Sequence, residues 1–175
     1  LADDSAGTSA GEAQALQAAR GFAGLSGMDL AQEVTGPQRP WTQTCWSRES
    51  GYGELSEAKF KVVAYDFGVK RNILRHFANR GCYMKVFPMD TSLEEMKAWA
   101  PDGLFISNGP GDPAAMQNTV SIVNDMVNSG YPVFGICLGH QLVAISQGLN
   151  TYKMHQGHRG INHPVLNILT GKGEI

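Results

Sequence analysis

From Phe60 onward, short apolar runs rich in β-branched and aromatic residues alternate four times with stretches of helical period, and nothing else in the 175 residues constrains the fold as much. Residues 60–66, 83–87, 103–107 and 131–136 read as strands. Residues 69–80, 92–99, 115–128 and 138–147 read as helices. The first has Ile73, Leu74 and Phe77 on one face and Gly81 as its stop, and the second opens with the capping box Ser92-Leu93-Glu94-Glu95. Parallel strands need a long crossover, and a helix after each strand supplies one. The expected fold class is therefore α/β, a doubly wound, mostly parallel sheet with helices on both faces.

The first 57 residues lack this rhythm. Residues 1–10 are small and polar and read as a loop or frayed end. Residues 12–20, closed by Gly21, and residues 28–34 read as two short helices. Residues 35–57 carry Gly36-Pro37, Arg39-Pro40 and Gly51-Tyr52-Gly53, turn chemistry without an apolar period, and read as a linker. A domain boundary is expected near residue 58, with residues 58–175 forming the α/β unit and residues 1–34 standing apart. Composition narrows the function classes. Hydrophobic residues at 42% and charged residues at 17% supply material for a core. A formal net charge of -2 gives no global attraction for nucleic acid or an anionic membrane, so neither is an expected partner. No apolar run approaches the roughly 18 residues of a membrane span. Three widely spaced cysteines, Cys45, Cys82 and Cys137, argue against a disulfide framework and for a reducing, cytoplasmic setting.

In an open α/β sheet, functional loops lie at the carboxyl ends of the strands. After the fourth strand comes Phe134-Gly135-Ile136-Cys137-Leu138-Gly139-His140-Gln141, a Gly-x-Cys-x-Gly counterpart of the strand-to-helix nucleophile elbow. The flanking glycines permit a tight turn that presents Cys137, and the helix N-terminus favours a thiolate there. An acyl-transfer site also needs oxyanion donors, for which the backbone N–H of Leu138 is one candidate. The loop Asn108-Gly109-Pro110-Gly111-Asp112-Pro113 after the third strand is a source for a second, because its glycines admit a ligand close to the backbone and its prolines stiffen it.

These two loops, with Ser107 before the first, resemble those of the class I (triad) glutamine amidotransferases, whose domain is flavodoxin-like. Within that group, Val63-Ala64-Tyr65-Asp66-Phe67-Gly68-Val69-Lys70-Arg71-Asn72-Ile73-Leu74-Arg75 is similar to the small, glutamine-hydrolysing subunit of carbamoyl-phosphate synthase. So is Gly157-His158-Arg159-Gly160-Ile161-Asn162-His163-Pro164-Val165, and residues 22–34 resemble the stretch leading into that subunit's amidotransferase domain, which implies that residues 1–34 are the C-terminal remnant of its N-terminal domain. The resemblance implies that Cys137 attacks the side-chain amide of L-glutamine, releasing ammonia and leaving a γ-glutamyl thioester that water hydrolyses. It implies that Gly109 and Leu138 supply oxyanion or substrate-binding backbone groups, and that Gly111 and Gln141 hold the glutamine. The ammonia would pass to a large subunit that consumes bicarbonate and ATP in arginine and pyrimidine biosynthesis. ATP and a divalent metal belong on that partner. This chain carries no Gly-x-x-x-x-Gly-Lys-Ser/Thr loop and is expected to bind no cofactor itself.

The family's base and its partner form a His-x-Glu motif far downstream of the nucleophile, and residues 138–175 contain none. The family's Asn-x-Gly-Phe segment is also absent, and the chain starts with Leu1. The resemblance therefore implies a fragment truncated at both ends, inactive by itself. Two other readings stay open: a non-catalytic glutamine- or partner-binding module, and another class I amidotransferase such as the anthranilate synthase partner. The remaining signals have plain explanations. His140 reads as a residue that packs or makes supporting hydrogen bonds, His155, His158 and His163 as a structural loop rather than a metal site, and Asp66-Phe67-Gly68 as a strand-to-helix turn. Lys70, Arg71, Arg75 and Arg80 read as a solvated face or subunit contact, and Cys45 and Cys82 as inert.

Overall fold

The structure, a computed structural model, describes residues 9–155 and 163–175. Among these residues the order is α1 (Ser9–Gly21), α2 (Ala31–Val34), β1 (Arg39–Trp41), β2 (Gln43–Ser47), β3 (Gly51–Glu54), β4 (Phe60–Asp66), α3 (Arg71–Ala78), β5 (Cys82–Pro88), α4 (Leu93–Ala98) and β6 (Gly103–Ile106). A short 3-10 turn, Pro113–Ala115, leads into α5 (Gln117–Asn128), β7 (Val133–Gly135) and α6 (Leu138–Ser146), and β8 (Val165–Asn167) with β9 (Lys172–Glu174) closes the order.

The main sheet runs β1-β5-β4-β6-β7. Its pairs β4–β5, β4–β6 and β6–β7 are parallel, and only β1 joins antiparallel, at the edge beside β5. The two-residue period of the strands sorts the core. Val63, Tyr65, Leu104 and Ile106 face Met96, Val123, Met126 and Leu142 of α4, α5 and α6, while Ala64, Met84, Val86 and Phe105 face Leu74 of α3. Helices thus cover both faces, which is the doubly wound arrangement the alternation predicts. Because the four central strands run the same way, the turns after β4, β6 and β7 gather at one end of the sheet.

Local chemistry sets the element ends. Ser92 accepts the Glu95 amide at 3.2 Å and starts α4, and Gly81 adopts φ 84° to end the turn after α3. Residues 131–136 shorten to β7 because Pro132 has no N–H to give and offers only its carbonyl, to Leu104 N at 2.9 Å. Residues 28–34 shorten to α2 because the Met28 carbonyl is used elsewhere, accepting Asp112 N at 2.8 Å.

The segment read as a linker holds three strands. Trp41 stands opposite Met84 in the β1–β5 pair, and β2 with β3 forms an antiparallel hairpin that packs on α3. The hairpin changes the reading of the basic cluster. Arg75 is not on a solvated face: its guanidinium carbon lies 4.1 Å from the Tyr52 ring centroid and 5.9 Å from that of Trp41, and Nε donates to Gln43 Oε1 at 2.9 Å. An aromatic clasp of this kind is worth about 1 kcal/mol or more, and it holds the hairpin on the helix.

Candidate active site

Cys137 sits where β7 turns into α6, with φ 55° and ψ -111°. A non-glycine residue there carries strain of about 1–3 kcal/mol, which the surroundings must hold in place. Two glycines do so by letting backbones touch. A Cβ on Gly135 would lie 2.7 Å from Gly139 C and O and 2.8 Å from His140 N, and one on Gly139 would run into the Ile106 carbonyl. The elbow is therefore pressed against the end of β6. Ile136 N donates to Ile106 O at 3.1 Å and Gly139 N to Ser107 O at 3.0 Å, so the turn carrying the thiol is bonded to the strand that feeds the Gly109 loop. Cys137 is exposed, at the N-cap of α6.

The Gly109 loop meets the elbow directly. A Cβ on Gly109 would fall 2.7 Å from Phe67 Cβ and 2.8 Å from Leu138 Cδ2, so only glycine fits between the β4 turn and the first residue of α6. The Gly109 and Leu138 amides have no hydrogen-bond acceptor among the described residues. Two unspent donors, one of them on the residue that follows the thiol, are the kind of group a developing oxyanion requires. Gly111, at φ +102°, is held from the other side: a Cβ there would meet Met28 O at 2.7 Å and Leu30 N at 2.9 Å. Asp112 secures that contact, accepting Gly27 N at 2.9 Å and Ala114 N at 3.0 Å.

A cavity of about 220 Å³ lies alongside, lined among others by Leu25, Ser26, Gly111, Asp112, Gln141 and Tyr152. It brings together Gly111, from the loop after β6, and Gln141, from α6. Cys137, Gly109 and Leu138 are not on its wall, although Gln141 stands one helical turn from Cys137 and donates its amide to the Cys137 carbonyl at 3.1 Å. Leu138 is buried, and its side chain supports Gly109 rather than facing the cavity. His140 is exposed. The walls at Leu25, Ser26 and residues 151–153 carry no signal in the sequence, because ordinary small and polar residues become a pocket only through the fold.

Sequence reasoning also passed over Asp66. This carboxylate is 2% exposed and organises the turn below Gly109: Oδ1 accepts Gly68 N at 2.9 Å and Val69 N at 2.8 Å, and Oδ2 accepts Gly36 N at 3.2 Å and pairs with Arg39 at 3.3 Å. The strand-to-helix turn at Asp66-Phe67-Gly68 is present, and an Asp-x-Gly at a strand end is the signal that marks such a hub.

Elsewhere the chemistry is sparse. Among the described residues no group of three or more His, Cys, Asp or Glu could hold a metal ion, and no helix is long and apolar enough to cross a membrane. His158, with the rest of residues 156–162 and thus most of the segment that begins at Gly157, lies outside the described residues, as do residues 1–8. Cys82 is buried, and burial pushes its thiol up, with Arg80 pulling it partly back. Cys45, which has no activating neighbour in sequence, lies 3.6 Å from His76 Nδ1 in space.

A family model described as glutamine amidotransferase class-I matches residues 63–174. The carbamoyl phosphate synthase small chain of Agrobacterium fabrum is 52% identical over 167 residues, which are 93% of this chain and 42% of that protein. The protein of the same name from Rhizobium meliloti is 49% identical over 180 residues, 100% of this chain and 44% of the relative. The chain thus spans little more than two fifths of the length of these curated relatives. A solved structure, that of a putative GMP synthase subunit from Thermoplasma acidophilum, superposes on 50% of the chain and 45% of its own length with a TM-score of 0.42 at 25% sequence identity.

Proposed function

Since the chain belongs to the class I glutamine amidotransferase family, we propose that the protein it represents hydrolyses L-glutamine through Cys137 as the small subunit of a carbamoyl phosphate synthase. The observation that carries this reading is the elbow itself: a strained cysteine at a helix N-terminus, bonded through Gly139 and Ser107 to a glycine loop with a free amide. The Cys137 sulfur adds to the amide carbon of the glutamine side chain. Negative charge grows on the amide oxygen, and the Gly109 and Leu138 N–H groups receive it, an effect worth about 10²- to 10³-fold per donor in comparable sites. Collapse of the adduct breaks the C–N bond and releases ammonia, leaving a thioester that water cleaves to glutamate. Gly111 and Gln141, which share the cavity wall, hold the amino-acid end of the substrate.

The thiol proton and the leaving amine both need a base. The Cys137 thiol has no hydrogen-bonded imidazole among the described residues, so the base is assigned to a residue outside them. The partner in this reading is a large synthase subunit that takes the ammonia together with bicarbonate and ATP and holds the ATP and its divalent metal. The test is glutamine-dependent ammonia release by the full-length protein purified with its partner. Turnover abolished by Cys137→Ser, with ammonia-supported synthesis retained, is the expected result. Turnover that survives the substitution would overturn the reading.

A further inference from the structure

The two residues ahead of Gly109 are engaged in a way that the chemistry above does not use. Ser107 is fully buried, and its hydroxyl accepts Phe67 N at 2.9 Å while donating to the Asn108 carbonyl at 2.8 Å. The Asn108 side chain spans the opposing turn: Nδ2 donates to Gly68 O at 3.0 Å and Oδ1 accepts Lys70 N at 3.1 Å. That turn is fastened by Asp66, which holds the Gly68 and Val69 amides. The peptide joining Asn108 to Gly109 is planar and trans, so its carbonyl and the Gly109 N–H point in opposite directions. Fixing the Asn108 carbonyl therefore fixes the direction of the Gly109 N–H.

We infer that Ser107 and Asn108 act together as positioning residues, a clamp that aims the Gly109 amide at the oxyanion; this rests on the glutaminase reading above. Neither side chain touches substrate. Ser107 sets the peptide plane, and Asn108 pins that plane to the 68–70 turn, so the donor is in place before charge develops. A donor free to rotate would lose most of its advantage in the transition state and little in substrate binding.

The test compares steady-state glutamine hydrolysis by the full-length protein with its partner, as wild type, Asn108→Ala, Asn108→Asp and Ser107→Ala. Asn108→Ala is expected to lower kcat about tenfold or more while KM stays within about twofold. Asn108→Asp keeps the acceptor for Lys70 N and loses the donor to Gly68 O, so it should fall between wild type and the alanine variant. Disulfide exchange of Cys137 with a small aromatic disulfide needs no oxyanion donor, and its rate should be unchanged in both Asn108 variants. Ser107→Ala should lower kcat further, and Asn108→Ala carries the test if that buried substitution prevents folding. Wild-type turnover that does not depend on Cys137 would overturn the glutaminase reading and the clamp with it. Cys137-dependent turnover in the wild type with kcat within twofold in Asn108→Ala, or a loss confined to KM, would overturn the clamp alone.

Discussion

The Gly139 amide donates to the Ser107 carbonyl at 3.0 Å, and with the bond from Ile136 N to Ile106 O it ties the Cys137 turn to the residues that lead into the Gly109 loop. Gly139 lies two residues after the thiol, and Ser107 two residues before Gly109. Their union couples the position of the Cys137 turn to that of the Gly109 loop.

Gly139→Ala places a methyl group against the Ile106 carbonyl, a backbone atom that cannot turn aside. Overpacking of this kind costs about 1–3 kcal/mol and must open the elbow. We expect a lower denaturation midpoint and a loss of glutamine hydrolysis greater than the loss of folded protein, measured by urea titration beside the activity assay. Wild-type activity in this variant would show that the elbow tolerates separation.

Asp66→Ala removes the acceptor for three backbone amides and leaves Arg39 without its carboxylate. Arg39 is one-third exposed, so solvent recovers part of its charge, and the expected cost is about 3 kcal/mol, at the lower end for a broken buried pair. Chemical denaturation of the variant reads this directly. A cost below about 1 kcal/mol would mean that the hub is not structural.

The fold was legible wherever a local rule and the tertiary environment agree. Residues 60–66 match β4 end to end, and from Val63 on the strand is buried on both faces, where a largely apolar run is needed. The strands of the hairpin and β1 were not legible. Edge strands need no unbroken apolar alternation, and Pro40 is tolerated in β1 only because that strand lies on the edge. In the site, the glycine spacing around Cys137 announces itself because part of it is a local steric demand, Gly135 being pressed by Gly139 and His140. The Asn108 brace does not, since its partners lie 38 and 40 residues away.

The three cysteines should separate by reactivity. Cys137 is exposed at a helix N-terminus, while Cys82 is buried and its thiol is pushed up by that burial. With an aromatic disulfide reagent at mild alkaline pH, Cys137 should react first and Cys82 about 100-fold more slowly. Peptide mapping of the labelled protein identifies the order, and in denaturant the difference should vanish.

Tyr65 gives a signed pH dependence. Burial, and then the nearby Asp90, push its phenol far above its ordinary value, and the hydroxyl donates to Met89 O at 2.6 Å. The folded state holds this proton more tightly than the unfolded chain, so the stabilisation is complete below about pH 10 and is lost as pH rises toward the folded value. Tyr65→Phe should cost about 1 kcal/mol at neutral pH through the lost hydrogen bond and should flatten the fall in stability above about pH 10. Parallel alkaline profiles for the two proteins would contradict this.

The role proposed for Cys137 is that of nucleophile toward glutamine. It is tested most directly by acid-quenching the full-length protein during turnover with labelled glutamine and sequencing the labelled peptide. The account predicts a hydroxylamine-sensitive γ-glutamyl thioester on Cys137 that is absent from Cys137→Ser. Label on another residue, or undiminished hydrolysis in Cys137→Ser, would contradict it.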